Sequence, residues 1–314
     1  MNIIYELIDQ QDIDRIEPLW YKLTEHHKAC SRYFKNVYAS ARWENRKQQL
    51  FSKFKYRPGY IQLATDGDIT VGYCVSSLDA QRVGEVESLY IQPAYRGFNV
   101  GSRLLVKALN WMDSQKASRK IIVVGEGNEE VCDFYARFRF QTLGHSLVQT
   151  SFSLPEPDST ADCRINSVEV YQIDLIKYLW DRLKKNAGYT TPVFKETYLT
   201  RKFTDVKTAA IRTAAYGWMN LDLVYPAGKT TPVGYCLSTV NADKAGVIDS
   251  IYLHPEYRNQ GLGCQLIQRS LDWMNTFKAS RKSLFIAAGN SNAGSFFSRF
   301  NFKTRNTFLQ QVKS

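Results

Sequence analysis

The stretch Leu89-Tyr90-Ile91-Gln92-Pro93-Ala94-Tyr95-Arg96-Gly97-Phe98-Asn99-Val100-Gly101-Ser102-Arg103-Leu104-Leu105 passes from a strand-like segment, through a turn-rich loop, into apolar residues at helical spacing. It returns 162 residues later as Ile251-Tyr252-Leu253-His254-Pro255-Glu256-Tyr257-Arg258-Asn259-Gln260-Gly261-Leu262-Gly263-Cys264-Gln265-Leu266. Small residues in such a loop let backbone N–H groups converge on an anion, and the helix that follows points the positive end of its dipole at the same place. A pyrophosphate fits there.

The recurrence extends well beyond the loop. Val71-Gly72-Tyr73-Cys74 returns as Val233-Gly234-Tyr235-Cys236, and Ala117-Ser118-Arg119-Lys120 as Ala279-Ser280-Arg281-Lys282. The offset of 162 holds without a gap from Val71 to Thr142, with roughly 40% identity, far more than chance gives. Upstream, Trp20-x-x-Leu23 and Phe34-Lys35 match Trp180-x-x-Leu183 and Phe194-Lys195 at an offset of 160. The chain is therefore a duplication, with domains expected at 1–152 and 164–314 joined by a linker, 153–163, rich in Pro, Asp and Ser. In the first copy the pattern predicts strands over 2–8, 60–64, 71–78, 85–91 and 120–124, and closing strands over 140–152. It predicts helices over 12–28, 42–54, from Gly101 to about Gln115, and over 129–137. The fold class is α/β, a mixed α+β domain present twice.

Composition narrows the function. At 314 residues, with 44% hydrophobic and 23% charged side chains, the chain fills two ordinary globular cores. The longest aliphatic run, Ile121 to Val124, is far short of the ~20 residues of a membrane span, so no membrane is expected as a partner. The first ten residues, with Glu6 and Asp9, do not read as a secretory signal. Cys30, Cys74, Cys132, Cys163, Cys236 and Cys264 are scattered without a C-x-x-C, which predicts reduced thiols, a cytoplasmic location and no metal site. The net charge of +11 is concentrated after residue 155 and suits an anionic ligand. No Lys/Arg tract of five occurs, and nucleic acid is set aside in favour of a phosphate-rich cofactor. Gly228-Lys229-Thr230 lacks the first Gly of a nucleotide P-loop, and Gly125-x-Gly127 lacks the third Gly of a dinucleotide fingerprint.

Arg258-x-x-Gly261-x-Gly263, preceded by a strand and Pro255, resembles the acetyl-CoA loop of the GCN5-related N-acetyltransferases (GNAT). Asn128 and Asn290 after the next strand, and Phe134-Tyr135 with Phe140 and Phe296-Phe297 with Phe302, are similar to that family's second half. The resemblance covers nearly the whole chain as two tandem copies. It implies two acyl-CoA N-acyltransferase domains, each a mixed, mostly antiparallel sheet flanked by helices. It also implies acetyl-CoA as cofactor, held in the first copy by Leu89, Tyr90, Ile91, Arg96, Gly97, Phe98, Asn99, Val100, Gly101, Ser102 and Asn128. In the second copy the matching set is Ile251, Tyr252, Leu253, Arg258, Asn259, Gln260, Gly261, Leu262, Gly263, Cys264 and Asn290.

Acetyl transfer needs a free amine, a polarised carbonyl and a proton for the leaving thiolate. Glu85 stands where family histone acetyltransferases carry their base, and the second copy has Val247 there. Tyr135 matches the tyrosine that protonates the thiolate in many members, and the second copy has Phe297. Glu87 shares a strand face with Glu85, and His26-His27 become Asn186-Ala187, which makes Glu87, His26 and His27 candidates for substrate contact. Only Asn99, in place of the family's Gly, weakens the first copy's case, and Asn tolerates left-handed backbone. The expectation is an N-acetyltransferase acting on a primary amine of a small molecule, catalytic in its first copy and degenerate in its second. A monomer in which the two copies form an internal pseudo-dimer is expected. The alternatives are a non-catalytic acyl-CoA sensor and an acetyltransferase of a protein or ribosome-associated amine.

Overall fold

The computed structural model describes residues 2–55, 57, 59–151 and 161–312, so most of the expected linker lies outside the described residues. The chain forms two compact units, residues 1–142 with 306–314, and 143–305. Each is built on a six-stranded mixed sheet.

In unit 1 the elements are β1 (Ile3–Ile8), α1 (Glu17–Cys30), α2 (Lys35–Ala39), α3 (Trp43–Phe54), β2 (Tyr60–Asp66), β3 (Ile69–Leu78), β4 (Val83–Ile91), α4 (Val100–Ser114), β5 (Arg119–Gly125) and α5 (Val131–Ala136). The start of β6 (Phe140–Gln149) follows. The expected 12–28 helix divides into tight turns over 10–16 and then α1, whose first turn carries Pro18, where a missing N–H costs nothing. Strands β1 to β4 pair antiparallel in order, and β4 pairs parallel with β5. One sheet face packs on α4 through Leu104, Leu105, Ala108 and Met112 against Val71, Val86 and Ile122. The other packs on α1 and α3 through Leu19, Trp20, Trp43 and Leu50 against Leu63, Tyr73 and Tyr90.

Unit 2 contains β7 (Cys163–Val168), α6 (Lys177–Thr190), α7 (Lys195–Leu199), α8 (Phe203–Tyr216), β8 (Trp218–Pro226), β9 (Gly234–Val240) and β10 (Ala245–Leu253). It goes on through α9 (Leu262–Thr276), β11 (Arg281–Ala287), α10 (Ser291–Ser298) and the start of β12 (Phe302–Gln311). Its pairings repeat those of unit 1. So do its contacts: Trp20 meets Trp43 at 5.5 Å and Trp180 meets Phe203 at 5.5 Å, while Lys47–Asp14 and Lys207–Asp174 are both 2.6 Å ion pairs.

The compact units follow the sequence copies except at their last strands. β12, from the second copy, pairs antiparallel with β5 in unit 1 from Asn306↔Gly125 to Gln310↔Ile121. β6, from the first copy, pairs with β11 in unit 2 from Ser283↔Val148 to Ala287↔Gly144. Phe140 and Phe302 stay in the cores of their own copies, whereas Leu309 packs in unit 1 and Leu147 in unit 2. The closing strands carry Phe and Leu at matching places, so either one can complete either sheet.

What positions the site is a break in the β4 register. Val75 opposes Ser88 and Ser76 opposes Val86, which leaves Glu87 as an extra, bulged residue. β4 is bonded to β5 only from Val83 to Val86, and beyond the bulge the two strands part. The same bulge occurs at Asp249, and β10 leaves β11 after Ile248.

Candidate functional site

A cavity of about 390 Å³ opens in unit 1 where β4 and β5 diverge. Leu89, Tyr90 and Ile91 line it from β4, and Gly97, Asn99, Val100, Gly101 and Ser102 from the loop and the first turn of α4. Arg96, Asn128, Tyr135 and His26 line it too. The structure thus brings together most of the residues expected around a cofactor in the first copy. Phe98 is exposed and outside the lining, and Glu85, Glu87 and His27, each partly buried, are outside the lining too.

The loop shape follows from two left-handed residues separated by one. In unit 1 they are Gly97 (φ +83) and Asn99 (φ +59), and in unit 2 Asn259 (φ +61) and Gly261 (φ +81). Each copy uses one Gly and one Asn in opposite order, which explains why Asn99 departs from the pattern without changing the turn. A β-branched residue there would press its Cβ on the next carbonyl. Asn99→Val is therefore expected to destabilise unit 1 by about 1–2 kcal/mol, while Asn99→Gly leaves it near the parent value. Thermal melts of the two variants check this, and equal midpoints would contradict the backbone argument. After the loop the opening N–H groups of α4 have no partner within the helix.

The two arginines of the loop are fastened to the strand end. Arg96 Nε donates to the Ile91 carbonyl at 3.2 Å and Arg258 Nε to that of Leu253 at 2.9 Å, with the guanidinium over Tyr90 or Tyr252. Arg137, also on the cavity wall, lies over Phe134 at 5.2 Å and donates to Ser102 Oγ at 3.2 Å. Arg137 is not among the residues expected from the sequence, although its recurrence as Arg299 is a usable signal. A set of backbone N–H groups, hydroxyls and guanidinium groups around a cavity suits a phosphate-bearing ligand. Nothing stands within 4 Å of where a Cβ at Gly97 would lie, so the loop is open to one.

Across the cavity, Tyr135 is buried between Phe134 and Phe140, and burial pushes its phenol well above the ordinary value. It therefore carries its proton at neutral pH. His26 Nε2 lies 3.1 Å from Asn128 Oδ1, a pair that unit 2 lacks because Asn186 replaces the histidine. Asn290 instead caps α10, accepting from the Ala293 N–H at 3.3 Å. The end of α1 is tied to the β5–α5 turn by the Glu126 carboxylate, which accepts from Ser31 Oγ at 2.5 Å and the Arg32 N–H at 2.9 Å. His27 stacks on Tyr38 at 5.1 Å. A shallower groove lined by Tyr21, Lys22, Glu25 and Pro93 shares His26, Tyr90 and Arg96 with the cavity.

Glu85 and Glu87 do share one strand face, and both are neutralised. Lys53 Nζ is 2.8 Å from Glu85 and 2.5 Å from Glu87, while Arg46 lies 3.2 Å from Glu87. Ser77 Oγ donates to Glu87 at 2.6 Å. Burial, and then the Glu87 charge, push the Glu85 carboxyl up against the opposing pull of Lys53. Lys53 and Arg46 were not singled out in the sequence, because their partners lie 32 to 41 residues away on another element. All six cysteines are free, no helix among the described residues is long and apolar enough to cross a membrane, and no metal-holding cluster occurs among them.

Two sheets of this order, each with a strand splay facing an anion-type loop at a helix start, define an acyltransferase-like class of domain. The profile of the acetyltransferase (GNAT) family matches residues 20–140 and 180–302, and the chain belongs to that family. An uncharacterized N-acetyltransferase, MJ1207, of Methanocaldococcus jannaschii is 24% identical over 144 residues, 43% of this chain and 58% of that protein. The chain thus spans less than two thirds of that relative. A GCN5-related N-acetyltransferase from Sphaerobacter thermophilus superposes with a TM-score of 0.61 at 13% identity, over 98% of this chain and 95% of its own. A tandem GNAT protein from the clavulanic acid biosynthesis pathway gives 0.53 at 12% identity, with 98% of each chain covered. These similarities establish the mixed α/β fold and its tandem character.

Proposed function

We propose that the protein is an acetyl-CoA-dependent N-acetyltransferase whose transfer centre is the unit 1 cavity and whose acceptor is a primary amine of a small molecule. The observation that carries this reading is that the left-handed loop and the Tyr135 side chain line one and the same cavity, whereas unit 2 has Phe297 at the tyrosine's position. The family assignment and the relative named an N-acetyltransferase support it.

Bound acetyl-CoA would supply an activated acetyl thioester. The backbone N–H groups of Gly97 to Ser102 would hold its phosphates, with Arg137 at the wall, and the unpaired end of β4 at Tyr90 and Ile91 offers main-chain N–H groups to polarise a carbonyl. Tyr135, protonated because it is buried, donates the proton that a departing thiolate requires. His26 is the histidine on the cavity wall and takes the acceptor's proton. Glu85, bound to Lys53 and outside the lining, acts at most through water and is the second candidate for that role.

Calorimetric titration of acetyl-CoA into the full chain, Arg96→Glu and Arg258→Glu counts and places the sites. Arg96→Glu removes the tie to Ile91 and reverses a charge at the cavity, and at least a tenfold loss of affinity is expected. Loss only in Arg258→Glu would move the cofactor to unit 2 and overturn the assignment.

A further inference from the structure

The asparagine that follows β5 in one copy and β11 in the other is put to different uses. The backbone makes the same turn in both. The Asn128 N–H donates to the Gly125 carbonyl at 3.2 Å and the Val131 N–H to the Asn128 carbonyl at 3.3 Å. The Asn290 N–H donates to the Ala287 carbonyl at 3.2 Å and the Ala293 N–H to the Asn290 carbonyl at 3.1 Å. Only the side chains part. Asn290 Oδ1 accepts from the Ala293 N–H and caps α10, which begins at Ser291, the counterpart of Glu129. Asn128 Oδ1 instead meets His26 Nε2 at 3.1 Å, and α5 begins only at Val131, with no side-chain cap. Asn is among the best N-cap residues, so unit 1 forgoes a local stabilisation that its own sequence offers. Local rules are broken in this way chiefly where a site needs the group for something else.

The His26–Asn128 bond is not what joins α1 to this turn. Glu126 makes that tie through Ser31 Oγ and the Arg32 N–H, and in unit 2 Thr191 Oγ1 makes it by donating to the Ala288 carbonyl. Unit 2 has Asn186 at the histidine's place and forms the same turn without the bond. Asn128 is 8% exposed, and both it and His26 line the cavity. The Cys30 thiol lies 3.8 Å from His26 Nε2 and 3.9 Å from Nδ1, so it does not choose between the two nitrogens. Asn128 Oδ1 does choose. A carbonyl oxygen can only accept, so the nitrogen facing it carries the ring proton and the other nitrogen keeps its lone pair.

We propose that Asn128 is a positioning residue whose carbonyl oxygen holds His26 in the Nε2–H tautomer, so that Nδ1 is the nitrogen that takes a proton from the acceptor's ammonium group. The acceptor's N–H bond breaks, its electron pair stays on the amine, and an Nδ1–H bond forms. The bond to Asn128 outlasts this step. The imidazolium still donates from Nε2 to Oδ1, so the ring keeps its place and no dipole has to turn as the charge appears. Asn is neutral and orients the ring without adding the charge of a carboxylate. In unit 2 the histidine is gone and the asparagine serves as a helix cap. The catalytic consequence rests on the reading of His26 as the base of unit 1, whereas the tautomer does not.

The test is nitrogen-15 NMR on the full chain with labelled histidine. The chain has four histidines, and the His26 signals are identified by their absence in His26→Asn, the residue that unit 2 carries. With the ring neutral, the wild type is expected to show the Nε2–H tautomer alone, its Nε2 proton slow enough in exchange to be seen. In Asn128→Ala that proton signal is expected to be lost and both tautomers to appear. Asn128→Asp keeps an acceptor in the same place and is expected to restore the signal. For an accepted amine, kcat is expected to fall about tenfold in Asn128→Ala and to recover in Asn128→Asp. An Nδ1–H tautomer in the wild type would mean that the amide is turned round and donates. That result, or a mixture of tautomers, overturns the proposal whether or not the variants fold. So does a retained Nε2 proton signal or an unchanged kcat in Asn128→Ala. A wild type that shows the single tautomer and acetylates no amine would overturn the unit 1 reading and leave the tautomer standing.

Discussion

Tyr135→Phe is expected to lower kcat for acetyl transfer by roughly 10²-fold, and by no less than tenfold, with the KM for acetyl-CoA close to the parent value. The change removes one oxygen from a side chain packed between Phe134 and Phe140, so the cavity wall keeps its shape. Phe at this position is compatible with the fold, because Phe297 occupies the equivalent place in unit 2 and is buried against Phe296 and Phe302. What is lost is the proton. The phenol is held protonated by burial and lines the cavity. Steady-state kinetics with any accepted amine, together with calorimetry for acetyl-CoA, separate this from a binding defect. A tenfold loss corresponds to about 1.4 kcal/mol of transition-state stabilisation, within reach of a single proton-transfer contact. An unchanged kcat would remove Tyr135 from the chemistry and leave it as packing. Loss of acetyl-CoA affinity with kcat preserved would make it a binding residue instead.

What is local and repeated is legible in the sequence. The loop from Leu89 to Leu105 was legible because Pro, Gly and Asn restrict the backbone directly, and the second copy supplied an independent version of the same turn. Helices α1, α3 and α4 were legible from apolar spacing. α2, five residues with none buried, carries no periodic signal. The pairing of Glu85 and Glu87 with Lys53 and Arg46 was hidden because it depends on how α3 lies across β4, a tertiary relation that strand alternation does not encode. His26 was noticed as a difference between copies, but its approach to Asn128, 102 residues away, needed the fold.

The exchange of closing strands was the least legible feature, because the duplicated strands are alike. Phe140 and Leu147 stand in register with Phe302 and Leu309, so nothing in either strand says which β-edge it joins. Its consequence is large. A fragment of residues 1–152 retains every element of unit 1 except the strand that covers β5, and it is expected to lack a cooperative thermal transition as a monomer. Without β12 the core loses Leu309, 2% exposed, a loss comparable to the ~2–5 kcal/mol of a buried Leu→Ala change. The β5 ladder from Ile121 to Gly125 loses its partners, as do the Phe138 and Arg139 carbonyls, which accept from Gln311 Nε2 and the Val312 N–H. An uncovered apolar edge strand also invites association. Set against the 5–15 kcal/mol that holds an ordinary domain together, these losses are comparable to the whole. Circular dichroism melts and sedimentation of fragment 1–152, of fragment 164–314 and of their equimolar mixture measure the effect. The mixture is expected to regain a cooperative transition, because each fragment brings the strand the other lacks. A monomeric 1–152 fragment melting near the full chain's midpoint would mean that β6 folds back to place Leu147 where Leu309 sits, and that the exchange contributes nothing to stability.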